Sequence, residues 1–141
     1  MLRRFERERL RLEKRLSEAS YENVRMVFRR LCKKLSGRYR EKRDDRHLVI
    51  SCTEIPKGRW VHIDVEGFTY WISIRSGGEE VVYLDRERLH NVKRVVIRAE
   101  ESVSNEITLR SGRKMFSGFS VRHPRSFKVD FDGEELIVRF M

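Results

Sequence analysis

The chain has 141 residues, of which 38% are Asp, Glu, Lys or Arg, and a formal net charge of +10. This length suits one compact domain with an appendage, and an aromatic content of 10% with frequent Val and Ile argues against disorder. No apolar run approaches the roughly 20 residues of a membrane span, and MLRRFERERLRLEKRL lacks the apolar centre of a secretory signal, so we expect a soluble, cytoplasmic protein without a membrane partner.

Two helical stripes open the chain. The first has apolar residues at heptad-like steps of three and four, interrupted only by Arg9: Leu2, Phe5, Leu12, Leu16 and Ala19. The second is displaced by one residue and comprises Val24, Phe28, Leu31 and Leu35. Residues favoured at helix caps, Ser17, Ser20 and Asn23, stand near the displacement. We predict two helices, about 2 to 18 and 21 to 36, or one bent helix, with Gly37 as a stop signal.

The positive charge is concentrated in this first third of the chain. Residues 1 to 46 hold 17 Lys and Arg against 8 Asp and Glu, whereas residues 47 to 141 hold 15 against 14. On the second helix Arg25, Arg29 and Lys33 recur every four residues and therefore share one exposed ridge. We divide the chain into a basic helical segment, 1–46, and a β domain, 47–141.

From residue 47 the hydrophobic period changes to two, the period of strands. Two-residue turns predict three hairpins: their turns are Glu66-Gly67, Gly77-Gly78 and Asp132-Gly133. The resulting registers pair Val61 with Ile72, Ile74 with Val81, and Val129 with Leu136. All of these apolar stripes then fall on one face of their hairpin.

Weaker strand patterns fill the remainder of the β domain. They cover residues 48–53, 92–98, 106–110 and 115–121, with a short helical turn over 85–90 and a loop tip at Ser111-Gly112-Arg113. About nine short strands without helix-length crossovers predict an antiparallel β-sandwich or barrel. The predicted fold class is therefore α+β, with the helical segment preceding the strands.

The first hairpin carries an unusual cluster on its reverse face. The predicted register makes Trp60 and Trp71 diagonal neighbours there, beside His62 and Asp64. An exposed pair of tryptophans can stack on unpaired bases. We favour the alternative that the N-terminal helices bury their apolar stripe on this face, so that both tryptophans belong to the core.

The remaining reactive residues form no specific motif. Cys32 and Cys52 make no CxxC pair and have no His at ligand spacing, so we expect buried thiols rather than a disulfide or a metal site. His62 and Asp64 could orient an acid/base histidine, but no nucleophile elbow, metal motif or phosphate loop accompanies them. We predict no catalytic residue, no metal and no cofactor.

These features predict a non-catalytic protein that binds or accompanies nucleic acid through phosphate contacts. The candidate contact residues are Arg25, Arg29, Arg30, Lys33, Lys34, Arg38, Arg40, Trp60 and Trp71. A second basic group could extend this surface: Arg110, Arg113, Lys114, Arg122, His123, Arg125 and Lys128. Arg outnumbers Lys 24 to 8, which suits bidentate phosphate contact, while the absence of Gln indicates a thermophilic source.

Two other functions remain open. The heptad-like stripe of residues 2–19 could join subunits of an oligomeric assembly, for example a viral structural or accessory protein. Alternatively, His62 and Asp64 could serve a hydrolase or nuclease.

Overall fold

The computed structural model describes residues 2–66, 71–99, 107–110 and 116–141. These residues form one helix, α1 (Leu2–Lys34), and ten strands: β1 (Arg38–Arg43), β2 (Leu48–Thr53), β3 (Trp60–Glu66), β4 (Trp71–Ser76), β5 (Glu79–Leu84), β6 (Arg94–Ala99), β7 (Ile107–Arg110), β8 (Phe116–Arg122), β9 (Phe127–Phe131) and β10 (Glu135–Phe140). One sheet has the order β1-β2-β9-β10-β6-β7 and the other β5-β4-β3-β8. Both sheets and α1 contribute to a single apolar cluster, which confirms the α+β class.

A single helix replaces the predicted pair, so the alternative of one helix is confirmed. The cap candidate Ser20 does not end a helix, because its hydroxyl donates to the Leu16 carbonyl four residues earlier at 3.2 Å. The displaced stripe instead marks a change of surroundings along α1. Val24 and Phe28 are fully buried in the core, whereas Phe5 near the N-terminus is exposed.

The helix ends at Lys34, two residues before the predicted end, by a Schellman motif. Ser36 adopts a left-handed φ of 57°, and the Gly37 amide donates to the Cys32 carbonyl at 3.0 Å. Gly37 is needed for space rather than for its φ. A Cβ at this position would lie 2.5 Å from Cys52 Sγ.

Cys32 and Cys52 form a disulfide, so the expectation of two free thiols is wrong. Both residues are fully buried. The bond joins the last turn of α1 to β2 across a sequence separation of 20 residues. Residue spacing could not reveal this pairing, because it depends on how the β1-β2 hairpin folds back against the helix.

The first hairpin has a different register from the one predicted. Val65, not Val61, pairs with Ile72. The two strands are therefore not joined by the predicted Glu66-Gly67 turn, and residues 67–70 between them lie outside the described residues. The partner is displaced by four residues. Because this displacement is even, the apolar stripe keeps its predicted face.

The second hairpin begins as predicted and then changes register. Ser76 pairs with Glu79 across the Gly77-Gly78 turn, but a β-bulge makes Val82, rather than Val81, the partner of Ile74. A bulge adds one residue to a strand and reverses the faces beyond it. Tyr83 is consequently placed opposite Ser73, on the outer face of the four-stranded sheet.

The third hairpin turns one residue later than predicted. Val129 pairs with Val138 rather than Leu136. Asp132 Oδ1 accepts hydrogen bonds from the amides of Glu134 at 2.8 Å and Glu135 at 2.7 Å, which fixes the longer turn. The displacement is again even, so both apolar stripes still face the core.

The strands predicted over 48–53, 92–98, 106–110 and 115–121 lie within two residues of their observed bounds, and the predicted loop tip over 111–113 falls outside the described residues. No strand was predicted at β1, which lies in the segment assigned to the helices. Residues 85–90 form the expected turn, closed by a hydrogen bond from the Leu89 amide to the Asp85 carbonyl at 3.0 Å. One pairing is not antiparallel, because β6 and β10 run parallel. The predicted wholly antiparallel sheet is wrong at this pair, since strands rather than a helix provide the crossover.

Candidate nucleic-acid interface

Carboxylates neutralise part of the predicted helical ridge. Arg25 Nε lies 2.6 Å from Glu41 Oε1 on β1, and Lys34 Nζ lies 3.0 Å from Glu79 Oε2 on β5. Among the residues that the structure describes, the ridge cations Arg29 and Lys33 and the neighbouring Arg30 are exposed and have no carboxylate partner. The ridge is therefore reduced to Arg29 and Lys33, and Arg25 and Lys34 tie the helix to the strands.

Arg25 belongs to a hydrogen-bonded group that joins α1 to β1. Glu41 accepts from Tyr39 at 2.5 Å and from Arg25 at 2.6 Å. Burial alone would raise the pKa of Glu41, but these hydrogen bonds and the nearby Arg29 charge outweigh burial and lower the pKa. Arg29 lies one helical turn after Arg25, which is bonded to Glu41 on β1.

Successive residues of β1 point to opposite faces of the sheet. Glu41 and Arg43 point toward the helix, because Glu41 bonds Arg25 and Arg43 bonds Glu18 at 2.6 Å. The alternate residues therefore lie on the outer face of the six-stranded sheet and are all exposed: Arg38, Arg40 and Lys42. Two predicted contact residues, Arg38 and Arg40, thus occupy a sheet surface and not the helical ridge.

The strand order extends this surface across the sheet. Arg40 neighbours Ser51, Ser51 neighbours Lys128, and Lys128 neighbours Arg139. Arg139 in turn neighbours Arg98 on the parallel strand β6. We call Arg40, Lys128, Arg139 and Arg98 the cation row; it crosses five strands and spans about 19 Å at the usual strand spacing.

The cation row has an unusual composition for a sheet surface. All four of its cations are exposed, and no position of the row from β1 to β6 holds a carboxylate. Like charges in directly opposed positions, such as Lys128 and Arg139, destabilise a sheet. Sequence reasoning missed the row because its members come from four separate strands, and only the strand order and register bring them together.

The structure separates the two tryptophans. Trp60 pairs with Arg122 at one end of β3, and Trp71 lies opposite Glu66 at the other end, about 20 Å away at the usual rise per residue. The prediction that they are neighbours is wrong because of the altered hairpin register. Trp71 is 38% exposed, so the expectation that the helix buries both rings is also wrong.

Trp71 instead contacts Tyr83, with ring centroids 4.8 Å apart. The two rings line a hollow of about 620 Å³ that also contains three carboxylates, those of Asp64, Glu66 and Glu80. Among the described residues, Arg75 is the one cation that lines it, and Arg75 already bonds Asp64 at 2.6 Å. Because the potential beside Trp71 is negative, this surface is poorly suited to phosphate.

His62 lies in a polar network on the same outer face. Its Nδ1 is 2.8 Å from Ser120 Oγ and its Nε2 is 2.9 Å from Asp64 Oδ1. Asp64 Oδ2 accepts a hydrogen bond from Arg75 at 2.6 Å. The structure thus places a hydroxyl beside His62 and Asp64, which the residue spacing did not indicate. The same contacts link the adjacent strands β8, β3 and β4.

Comparison with known proteins indicates no family for this chain. No family model, no curated protein and no solved structure matches it. Within the described residues, α1 has no stretch that is apolar enough to cross a lipid bilayer. The functional proposal therefore rests on the geometry and charge of the surfaces described above.

Proposed function

We propose that this protein binds nucleic acid without catalysis, through phosphate contacts made by the outer face of the six-stranded sheet. The observation that carries the proposal is the cation row. Lateral neighbours of like charge repel one another in the folded protein, and a bound polyanion would relieve that repulsion. Arg and Lys on a sheet surface are the usual donors to phosphate oxygens.

The helical ridge extends this surface around the edge of the sheet. β1 is an edge strand, with Arg40 on its outer face and Arg25, one helical turn before Arg29, bonded to its inner-face Glu41. A nucleic-acid backbone that follows the cation row reaches Arg29 and its helical neighbours by crossing β1. The contact residues of the proposal are therefore the cation row together with Arg29, Arg30 and Lys33.

Phosphate contacts make binding insensitive to base sequence and strongly dependent on salt. The experiment compares the double variant Lys128→Glu/Arg139→Glu with the control Lys57→Glu/Arg86→Glu, which changes the net charge equally at exposed residues outside the row. Fluorescence anisotropy with duplex and single-stranded oligonucleotides over a range of salt concentrations measures the affinity.

For the wild type we expect affinity to fall steeply with salt. Loss of two phosphate contacts should reduce the slope of log affinity against log salt by about 1.8 for duplex and about 1.4 for single strands. The control should keep the wild-type slope. Equal slopes in the two variants, or an affinity that barely responds to salt, would refute the proposal.

Exposure of the N-terminal half of α1 favours a second candidate, self-association. Phe5 is 69% and Leu12 58% exposed, and because they are seven residues apart they form one apolar strip, the kind of surface that marks an association site. Among the described residues, the hydrogen bond nearest the N-terminus that joins the β domain to α1 runs from Asn91 Nδ2 to Ser17 Oγ at 3.2 Å. Helix pairing between two copies would cover the exposed side chains.

Sedimentation separates self-association from binding by a monomer. We compare the full chain, a version that starts at Tyr21, and the variant Phe5→Glu/Leu12→Glu. Self-association predicts a dimer or larger species only for the full chain. A full chain that sediments as a monomer at high concentration removes this candidate.

The contacts among Ser120, His62 and Asp64 favour a third candidate function, a hydrolase or nuclease. Its test is the variant His62→Ala, assayed against nucleic-acid and ester substrates. Unchanged activity, or no activity in the wild type, dismisses it.

A further inference from the structure

A cleft lies between α1, the edge strand β5 and the turn over 85–90. It consists of two adjoining hollows of about 1130 Å³ and 340 Å³. Both hollows are lined by the same four residues, Asn23, Met26, Arg30 and Arg88. These side chains therefore form the middle of one continuous cleft.

The cleft is predominantly basic. The larger hollow is lined by Arg25, Arg29, Arg30, Lys33, Arg88 and His90, against Glu22 and Glu87. Arg25 is occupied by Glu41, but Arg29, Lys33 and Arg88 have no carboxylate partner among the described residues. These cations leave a positive potential that favours an anionic group.

Asn23 gives the cleft a specific hydrogen-bond requirement. The residue is only 7% exposed, and its Nδ2 has no hydrogen-bond partner among the described residues. A buried donor without a partner lowers stability, and native proteins seldom retain one without a reason. A ligand with an acceptor atom would satisfy it.

Met26, three residues later on α1, lines both hollows together with Asn23. Met26 is 54% exposed, and its unbranched side chain can move aside without strain. Val27 and Val81, both buried, supply apolar surface beside it. The cleft therefore offers an apolar wall, a buried donor and surrounding cations, which suit a flat polar ring that carries a phosphate.

We propose that the cleft binds one nucleotide. Asn23 Nδ2 donates to an acceptor on the base edge, Arg30 and Arg88 flank the ring as guanidinium planes do in base stacking, and Arg29 and Lys33 contact the phosphate. The nucleotide is either free or an unpaired position of a bound strand. The second case rests on the proposed function, because the cation row would then hold the rest of the strand.

The diagnostic variant is Asn23→Leu, which has a similar shape but no donor. It should be at least as stable as the wild type in thermal unfolding, because it removes an unsatisfied polar group. Its affinity for adenosine monophosphate or for the single-stranded decamer should nevertheless fall about tenfold, the effect of one lost hydrogen bond. Asn91→Leu, at an exposed asparagine outside the cleft, is the matched control and should keep the affinity.

The probes are adenosine monophosphate, a single-stranded decamer, the same decamer with an abasic position in place of each base in turn, and the corresponding duplex, with affinities measured by calorimetry. A free-nucleotide site predicts that Asn23→Leu weakens only the monophosphate. A strand site predicts weaker binding of the single strand and unchanged binding of the duplex.

The two proposals can fail separately. If Asn23→Leu binds every probe as the wild type does, the cleft proposal is wrong, whereas the proposed function is judged by Lys128→Glu/Arg139→Glu. If Asn23→Leu unfolds at a clearly lower temperature than the wild type, the amide has an internal partner and the proposal is overturned. Binding of the monophosphate without any binding of strands would retain the cleft and remove the proposed function.

Discussion

Loss of the disulfide between Cys32 and Cys52 should lower stability substantially. The bond connects the C-terminal turn of α1 to β2 in the fully buried core. In the unfolded chain it closes a loop whose ends are 20 residues apart in sequence. Removing it gives the unfolded chain more freedom while the packed core holds the two sulfurs together in the folded state.

The chain-entropy relation gives the size of the effect. For a separation of 20 residues the stabilisation is about 3 kcal/mol at 25 °C. The entropy of unfolding of a chain of 141 residues is about 0.3 kcal/mol per degree, so the midpoint of thermal unfolding should fall by about 10 °C.

Thermal and denaturant unfolding with and without reductant measure this difference, and mass spectrometry confirms the thiol state. The variant Cys32→Ala/Cys52→Ala is the control, because reductant should not change its unfolding midpoint. The reasoning fails if the oxidised and reduced wild-type proteins unfold at the same midpoint although their masses show that the bond is present and then broken.

Three further predictions concern individual positions. Gly37→Ala should destabilise the fold by about 1–3 kcal/mol in denaturant unfolding, because its Cβ would lie 2.5 Å from Cys52 Sγ; an unchanged midpoint would contradict the close packing. Hydrogen bonds from the Arg46 and His47 amides lower the pKa of Asp44, so the stability that Asp44 contributes is present above its pKa in the unfolded chain and is lost as pH falls through its pKa in the folded protein. Between pH 5 and 2.5 the free energy of unfolding should therefore decrease less in Asp44→Ala than in the wild type, and an equal decrease would contradict the prediction. The exposed Trp71 sits among carboxylates. Its emission, obtained as the difference between the wild type and Trp71→Phe, should therefore be quenched more by caesium than by iodide. The reverse order would refute the negative potential.

The sequence predicted the faces of the strands better than their partners. Period two places Val65 and Ile72 on the core face under either register, since a displacement by an even number of residues preserves the face. The loop length that fixes the partner is not encoded in that alternation. At β5 a one-residue bulge had no sequence signal, so Val81 was predicted as the partner of Ile74 in place of Val82.

Features that depend on tertiary arrangement were the least predictable. The basic character of residues 38–43 was apparent from the sequence, but its continuation through Lys128 and Arg139 required the order of the sheet. The disulfide likewise required the return of the chain after Ser36. The helix boundary was misplaced at Ser20, because a serine hydroxyl can satisfy a carbonyl within a helix as well as cap one.

The position of β1 at the border of the sheet has a further consequence. Its outer rim of backbone groups is open to pairing with another chain, and Arg38, Arg40 and Lys42 discourage such pairing by mutual repulsion between copies. A polyanion that neutralises these side chains would remove the deterrent. Several copies bound to one nucleic-acid strand would then pair more readily through their β1 edges. The same three residues would therefore keep the unbound protein apart and allow bound copies to associate.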